Sequence, residues 1–386
     1  MNEKRRCPYG SWESNITADL IIAESLDLSE ISTCGEDVYW LENRPAEQGR
    51  GAVVQKPING KERDVIPVGF SARNSVHEYG GGVYTVNSLG FYFANWEDQR
   101  IYSTNKDGSL SALTPPPDKH KGLRYGDLTI EKTWLCCVRE RHNTPEESTN
   151  DLIAISTDMP SCTRILASGQ DFYSSPRFSR DGQKLCWLSW DHPNMPWDGS
   201  VLWVADFNGD GTISNLVRVA GSLTESIVQP GWAPNGDLFF FTDISGYWNL
   251  AVWDGSVTRP FLTEPVEHAE APWQFGYSSY TFLSDGLLVL GVSSPAEPGL
   301  LRCFDVNGQE LTSINSNYSR IRYLKAMGQQ VIYLGSSPTR LPEIVAVNVR
   351  NGKELILKKS SSLQIDSESI SPPQAIKFST TDNGCA

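Results

Sequence analysis

Three stretches of this 386-residue chain combine residue types that could do chemistry. Val76-His77-Glu78-Tyr79-Gly80-Gly81-Gly82 sets an imidazole beside a carboxylate and a phenol, a potential base next to an acid. The three glycines that follow free the backbone to bend and to approach another chain segment closely. Two readings stand: a bent innermost strand with buried polar anchors, or a loop that contacts a ligand from a rigid scaffold. Trp190-Asp191-His192-Pro193-Asn194-Met195-Pro196-Trp197 is an aromatic segment stiffened by two prolines. It either walls a chamber or packs its aromatic rings on its own scaffold. Asp206-Phe207-Asn208-Gly209-Asp210-Gly211-Thr212 matches the first half of a calcium-binding loop, but Val217 stands where a bidentate glutamate belongs. A polar hairpin turn is the preferred reading there. His120, His142, His192 and His268 are not paired at metal-ligand spacing, so no metal site, cofactor or catalytic residue is assigned. A binding or gating role is considered for His77, Glu78, Tyr79, Trp190, His192 and Trp197.

The elements that must carry these residues repeat. Ser174 to Trp190 contains a short polar link, Asp181-Gly182, then a β-rich run; Val228 to Asp243 repeats this around Asn235-Gly236, and Ser279 to Val292 around Asp285-Gly286. Asp-Gly and Asn-Gly between β-branched and aromatic residues suit type I′ hairpins. A period of roughly 40–50 residues, with several strands per copy, marks a β-propeller. Seven four-stranded units are predicted, at about 27–70, 80–118, 123–168, 172–222, 226–264, 276–314 and 318–360, with six or eight as alternatives. The fold class is thus all-β, a seven-bladed propeller. A helix is expected in Ser14–Leu26, with Ile16, Leu20 and Ile21 on one face, extended by Ala23 and Glu24, and Ser14 or Thr17 as cap. Residues 1–26 form an N-terminal segment, 27–360 the propeller, and 361–386 a polar linker with a β-like run at 374–378.

Net charge is −13, which argues against a nucleic-acid partner or an anionic membrane surface. Twelve tryptophans suit sheets that pack radially against one another. No stretch approaches 18 apolar residues, so no membrane helix is expected. Pro8-Tyr9-Gly10-Ser11-Trp12 follows the charged N-terminus in place of an apolar signal region. The eight cysteines contain no C-x-x-C pair and are scattered, which reads as a reduced, cytoplasmic protein with Cys136 and Cys186 in the core.

Several phrases carry a family resemblance: Pro8 to Ser14, Ile16 to Leu20, Val76 to Gly82, Arg124 to Leu128, Trp190 to Gly199 and Gly246 to Leu250. They resemble, in order and over most of the chain, the N-terminal propeller of the prolyl oligopeptidase clan, most closely its acylaminoacyl-peptidase and dipeptidyl-peptidase-like branch. In that family an α/β-hydrolase domain with a G-x-S-x-G nucleophile elbow follows the propeller. The nearest string here, Gly276-Tyr277-Ser278-Ser279-Tyr280, lacks the second glycine of that turn. The resemblance implies a non-catalytic domain that gates peptide access to an α/β-hydrolase domain absent from this chain, with residues 361–386 as the linker and start of that missing domain, and sets the 76–82 phrase near the domain interface. A stand-alone propeller scaffold that binds a protein or small ligand is the alternative. A self-sufficient propeller enzyme ranks last, because no convergent carboxylates or metal ligands are signalled.

Overall fold

The computed structural model describes residues 6–381 except 13, 24, 106, 107, 143, 145, 146, 161, 295–297, 364, 375 and 377. Seven antiparallel four-stranded sheets follow one another along the chain, each built from consecutive strands in order. They are β1–β4 (27–64), β5–β8 (84–112), β9–β12 (123–168), β13–β16 (172–221), β17–β20 (227–260), β21–β24 (280–315) and β25–β28 (320–359). The first strands of neighbouring sheets touch, which places them around a central channel with the fourth strands outermost. The blade count and boundaries agree with those expected from the repeat.

Side-chain alternation along a strand explains the ring. On β14, Leu185 and Trp187 enter the apolar cluster between blades three and four, while Cys186 and Leu188 enter the one between blades four and five. On β18, Phe239 and Phe241 serve the seam between blades five and six, and Leu238 and Phe240 the seam behind it. Successive residues point to opposite sheet faces, and both faces are buried against neighbouring blades. Cys136 and Cys186 are buried in these seams. Blade seven closes on blade one through Leu28, Trp40, Ile332 and Ile344, with Lys358 Nζ 3.0 Å from Glu42 Oε1.

The inner hairpins depart from type I′. Gly182, Gly236 and Gly286 have positive φ, but the Asp or Asn before each does not. Each glycine N–H instead donates to the carbonyl three residues back, at 2.9–3.1 Å. These are type I turns that end on a left-handed glycine, the commonest geometry for longer hairpin loops. The Asx carboxyl or amide oxygen accepts a backbone N–H two residues on, which holds the turn.

Helix α1 spans Ala18–Ala23, shorter than expected at both ends. Thr17 is the cap, its Oγ1 accepting the Leu20 N–H at 3.1 Å; Ser14 instead bonds locally with Ile16. Glu24 lies outside the described residues, as do Ala375, Lys377 and residues 382–386; Gln374, Ile376 and Phe378 are not in strands. No described helix is long and apolar enough to cross a membrane.

Antiparallel order fixes which loops share a face. Links from one blade's outer strand to the next blade's inner strand open on one face, together with the hairpins between second and third strands. This is the link face; the Asp-Gly and Asn-Gly hairpins lie on the opposite, hairpin face. Both ends of the propeller also leave on the link face, where the Leu26 N–H donates to the Ser360 carbonyl at 2.8 Å.

Candidate functional site

Two links reach across the link-face mouth of the channel and meet. One joins β4 to β5 and carries His77–Gly82; the other joins β20 to β21 and carries Pro272–Tyr277. The Phe275 N–H donates to the Gly80 carbonyl at 3.1 Å, and Gly81 pairs with Phe275 in an isolated parallel bridge. His77 and Glu78 are left-handed, at φ 52° and 68°, and all three glycines have positive φ. A Cβ on Gly81 would lie 2.7 Å from the Phe275 backbone N and O, and one on Gly82 2.4 Å from the Asp127 Cα. The glycine run therefore serves close backbone approach, as its composition implied.

His77 is the wedge of this crossing. Its ring meets Phe172, Phe275 and Trp190 edge-on at 5.0, 5.2 and 5.7 Å between centroids. Burial pushes the imidazole down to about 4, so it is neutral at physiological pH. Its backbone N–H donates to Glu140 Oε2 at 2.8 Å. Glu140, at the end of β10, also accepts from Arg124 Nη1 at 3.1 Å and meets His142 Nε2 at 2.6 Å.

The crossing walls a cleft of about 950 Å³ lined by His77, Tyr79, Phe172, Trp190, Trp197, Gln229, Trp273 and Phe275. Trp273 links its two sides, 4.4 Å from Trp197 and 5.5 Å from Tyr79 between ring centroids. Four of the six candidate residues thus converge. Glu78 does not: its side chain is exposed and pairs with Arg124 at 2.7 Å. His192 is exposed behind Phe172, at 5.1 Å between centroids, and its backbone N–H donates to Asp171. The prolines of its segment place Met195, Pro196 and Trp197 in the cleft wall.

Sequence reasoning missed Trp273, Phe275 and Phe172. The signal for the first two was Ala271-Pro272-Trp273-Gln274-Phe275-Gly276, an aromatic, proline-started link outside the repeat. Phe172 opens β13 and read as an ordinary strand residue.

Glu78, Glu140 and His142 bring potential metal-ligand atoms within 4.8 Å of one another, a grouping their sequence spacing hid. Arg124 Nη1 already bonds both carboxylates, so the trio reads as an ion-pair network that anchors the crossing link. The calcium-like segment forms the β15–β16 hairpin. Asp206 there pairs with Lys184 and Asn215, and Asp210 Oδ1 accepts from Thr212. His142 and His268 meet Glu140 and Glu264 through Nε2, and His77 is boxed by aromatic rings.

Deeper in the channel, Glu30, Asp127, Ser175, Gln229 and Tyr323 are left-handed residues at the irregular positions of five inner strands. Such bulges redirect side chains. Glu30 accepts the Val83 N–H at 2.8 Å, and burial pushes its carboxyl up to about 7. Asp127 pairs with Arg177 at 3.0 Å.

No family model and no curated protein matches the sequence. Solved structures do. The chain is 29% identical to a Mycobacterium tuberculosis puromycin-hydrolyzing peptidase, with TM-score 0.89, over 99% of this chain and 61% of that one. A puromycin hydrolase matches at 27% identity and TM-score 0.86, over 98% of this chain and 60% of that one. A prolyl endopeptidase matches in fold alone, at 13% identity and TM-score 0.64, over 94% of this chain and 54% of that one. The chain thus spans about 60% of the length of the puromycin-hydrolysing structures. The seven-bladed fold and this likeness are consistent with the propeller domain of the prolyl oligopeptidase family.

Proposed function

We propose that this propeller sits over the active site of an α/β-hydrolase serine peptidase domain, of acylaminoacyl- or dipeptidyl-peptidase-like type, and restricts access to short or unstructured peptides. One observation carries the reading: the aromatic cleft and both ends of the propeller share the link face. A domain joined to either end would meet the cleft first. Exposed apolar residues in the terminal segments fit a surface made for such a neighbour: Tyr9, Trp12 and Ile21 on one side, Ile376 and Phe378 on the other. The partner would supply acyl transfer by Ser-His-Asp; the propeller would supply size selection and aromatic contacts from Tyr79, Trp190, Trp197 and Trp273.

The test is labelling with a fluorophosphonate probe, which marks activated serines. Material captured from the source cells through this propeller is expected to contain one labelled serine, in the same polypeptide or in a partner. The 386-residue chain alone is expected to remain unlabelled. Captured material without a labelled serine, or a labelled serine in the chain itself, would overturn the proposal.

A further inference from the structure

The channel has a second chamber toward its hairpin-face mouth. This cavity of about 720 Å³ is lined by Arg177, Arg180, Gln229, Tyr277 and Lys325 among others. Three of these are cations, in a chain whose net charge is −13. Arg177 commits Nη1 to Asp127 Oδ1 and the Pro176 carbonyl, at 3.0 and 2.7 Å. The side chains of Arg180, exposed on the β13–β14 turn, and of Lys325, on β25, make no hydrogen bond or ion pair with any described residue.

The charges that face the Lys325 amine are Arg177, Asp127 and Glu30. Both carboxylates are already engaged: Asp127 by Arg177 and the Ser175 N–H, Glu30 by the Val83 N–H. Burial first and Arg177 second push the amine down to about 8, so it still carries its proton at neutral pH. The half-buried ammonium opens onto the chamber without a side-chain partner, so it is free to make a charge-assisted hydrogen bond to an anion.

We propose that this chamber binds a compact oxyanion, a carboxylate or phosphate group, between Lys325, Arg180 and the free nitrogens of Arg177. A peptide's C-terminal carboxylate and inorganic phosphate share this chemistry. The site shares Gln229 and Tyr277 with the aromatic cleft as a common wall but does not depend on the gating role.

Isothermal titration of the full chain at fixed ionic strength tests it, with inorganic phosphate, N-acetylglycine and N-acetylglycinamide as probes. Saturable binding of phosphate or N-acetylglycine is expected, with none of the amide. Phosphate alone would identify the free ion as the ligand, and N-acetylglycine a peptide end. Lys325→Met should weaken binding about tenfold or more. Lys353→Met, on an exposed turn, should leave it unchanged. Arg180→Ala lies on the surface and will fold; it should weaken binding severalfold even if Lys325→Met disturbs the channel. No saturable binding of either oxyanion, or wild-type affinity in both the Lys325 and Arg180 variants, would overturn the proposal.

Discussion

Gly81→Ala tests whether the crossing of the two links holds the cleft together. The new methyl group would lie 2.7 Å from the backbone N and O of Phe275, at φ 103°. A side chain at such a φ costs about 1–3 kcal/mol. Forcing a methyl group against backbone that cannot rotate away adds about 1–3 kcal/mol. Gly236→Ala is the control: its φ is 92°, and nothing lies within 4 Å of its Cβ position. It should show only the first cost. Both links lie outside the blades, so the strain should be relieved by parting the links while the ring stays folded. At about 2.1 cal/mol/K of unfolding entropy per residue, a chain of this length shifts its Tm by only about 1 °C per kcal/mol. Hydrogen exchange is therefore the better assay. Amides of Gly80 to Val83 and of Phe275 should exchange faster in Gly81→Ala, by a factor of about 10 or more, while β17–β19 stay protected. Tryptophan emission should shift red as Trp273 leaves Trp197. Unchanged exchange in both links, or an equal effect from Gly236→Ala, would refute the reasoning.

Glu140→Gln removes a buried charge shared by Arg124, His142 and the His77 N–H, and should cost about 3 kcal/mol by denaturant unfolding. Glu78→Gln, on the exposed arm of the same network, should cost under about 1 kcal/mol; equal losses would contradict the assignment of Glu140 as the anchor. Two buried groups should oppose each other in the pH dependence of stability. Glu30, raised to about 7, stabilises fully below pH 4.5 and loses that contribution as pH rises through 7; His77, lowered to about 4, loses its contribution as pH falls from 6.5 to 4. Each is worth about 3 kcal/mol, so the wild type should be nearly flat between pH 4.5 and 6.5, while Glu30→Gln should gain stability with rising pH. A flat profile in Glu30→Gln would show that the channel does not perturb these groups as described. Trp12→Asp with Ile21→Asp should reduce any self-association of the isolated chain and its binding of hydrophobic dyes, read by light scattering and fluorescence; identical behaviour to wild type would remove the exposed-surface argument.

The blades were legible because their signals are local. Asp181-Gly182 and Asn235-Gly236 mark hairpins, and short apolar runs such as Leu238 to Phe241 read as strands buried between apolar seams. The exact turn type was not legible, since an Asx-Gly pair suits both type I′ and a type I turn that ends on glycine. The cleft was half legible. His77-Glu78-Tyr79 read as one unit, yet the left-handed backbone sends His77 into the aromatic box and Glu78 to the surface beside Arg124. Phe275 meets that segment through backbone and Trp273 through its ring, both from almost two hundred residues away, and no local pattern encodes such contacts. The Glu78, Glu140 and His142 grouping is hidden for the same reason, its members lying on a link and a strand of different blades.

Length selectivity in the assembled peptidase tests the gating account most directly. The ratio of kcat/KM for a short chromogenic peptide to that for a peptide of about 30 residues with the same reactive end should be high in the wild type. Trp273→Ala and Gly81→Ala, which open the link-face mouth, should lower that ratio at least tenfold by admitting the long peptide, with short-peptide turnover nearly unchanged. A ratio that stays constant while both rates fall together would contradict the account, and would reduce the aromatic crossing to a structural clasp.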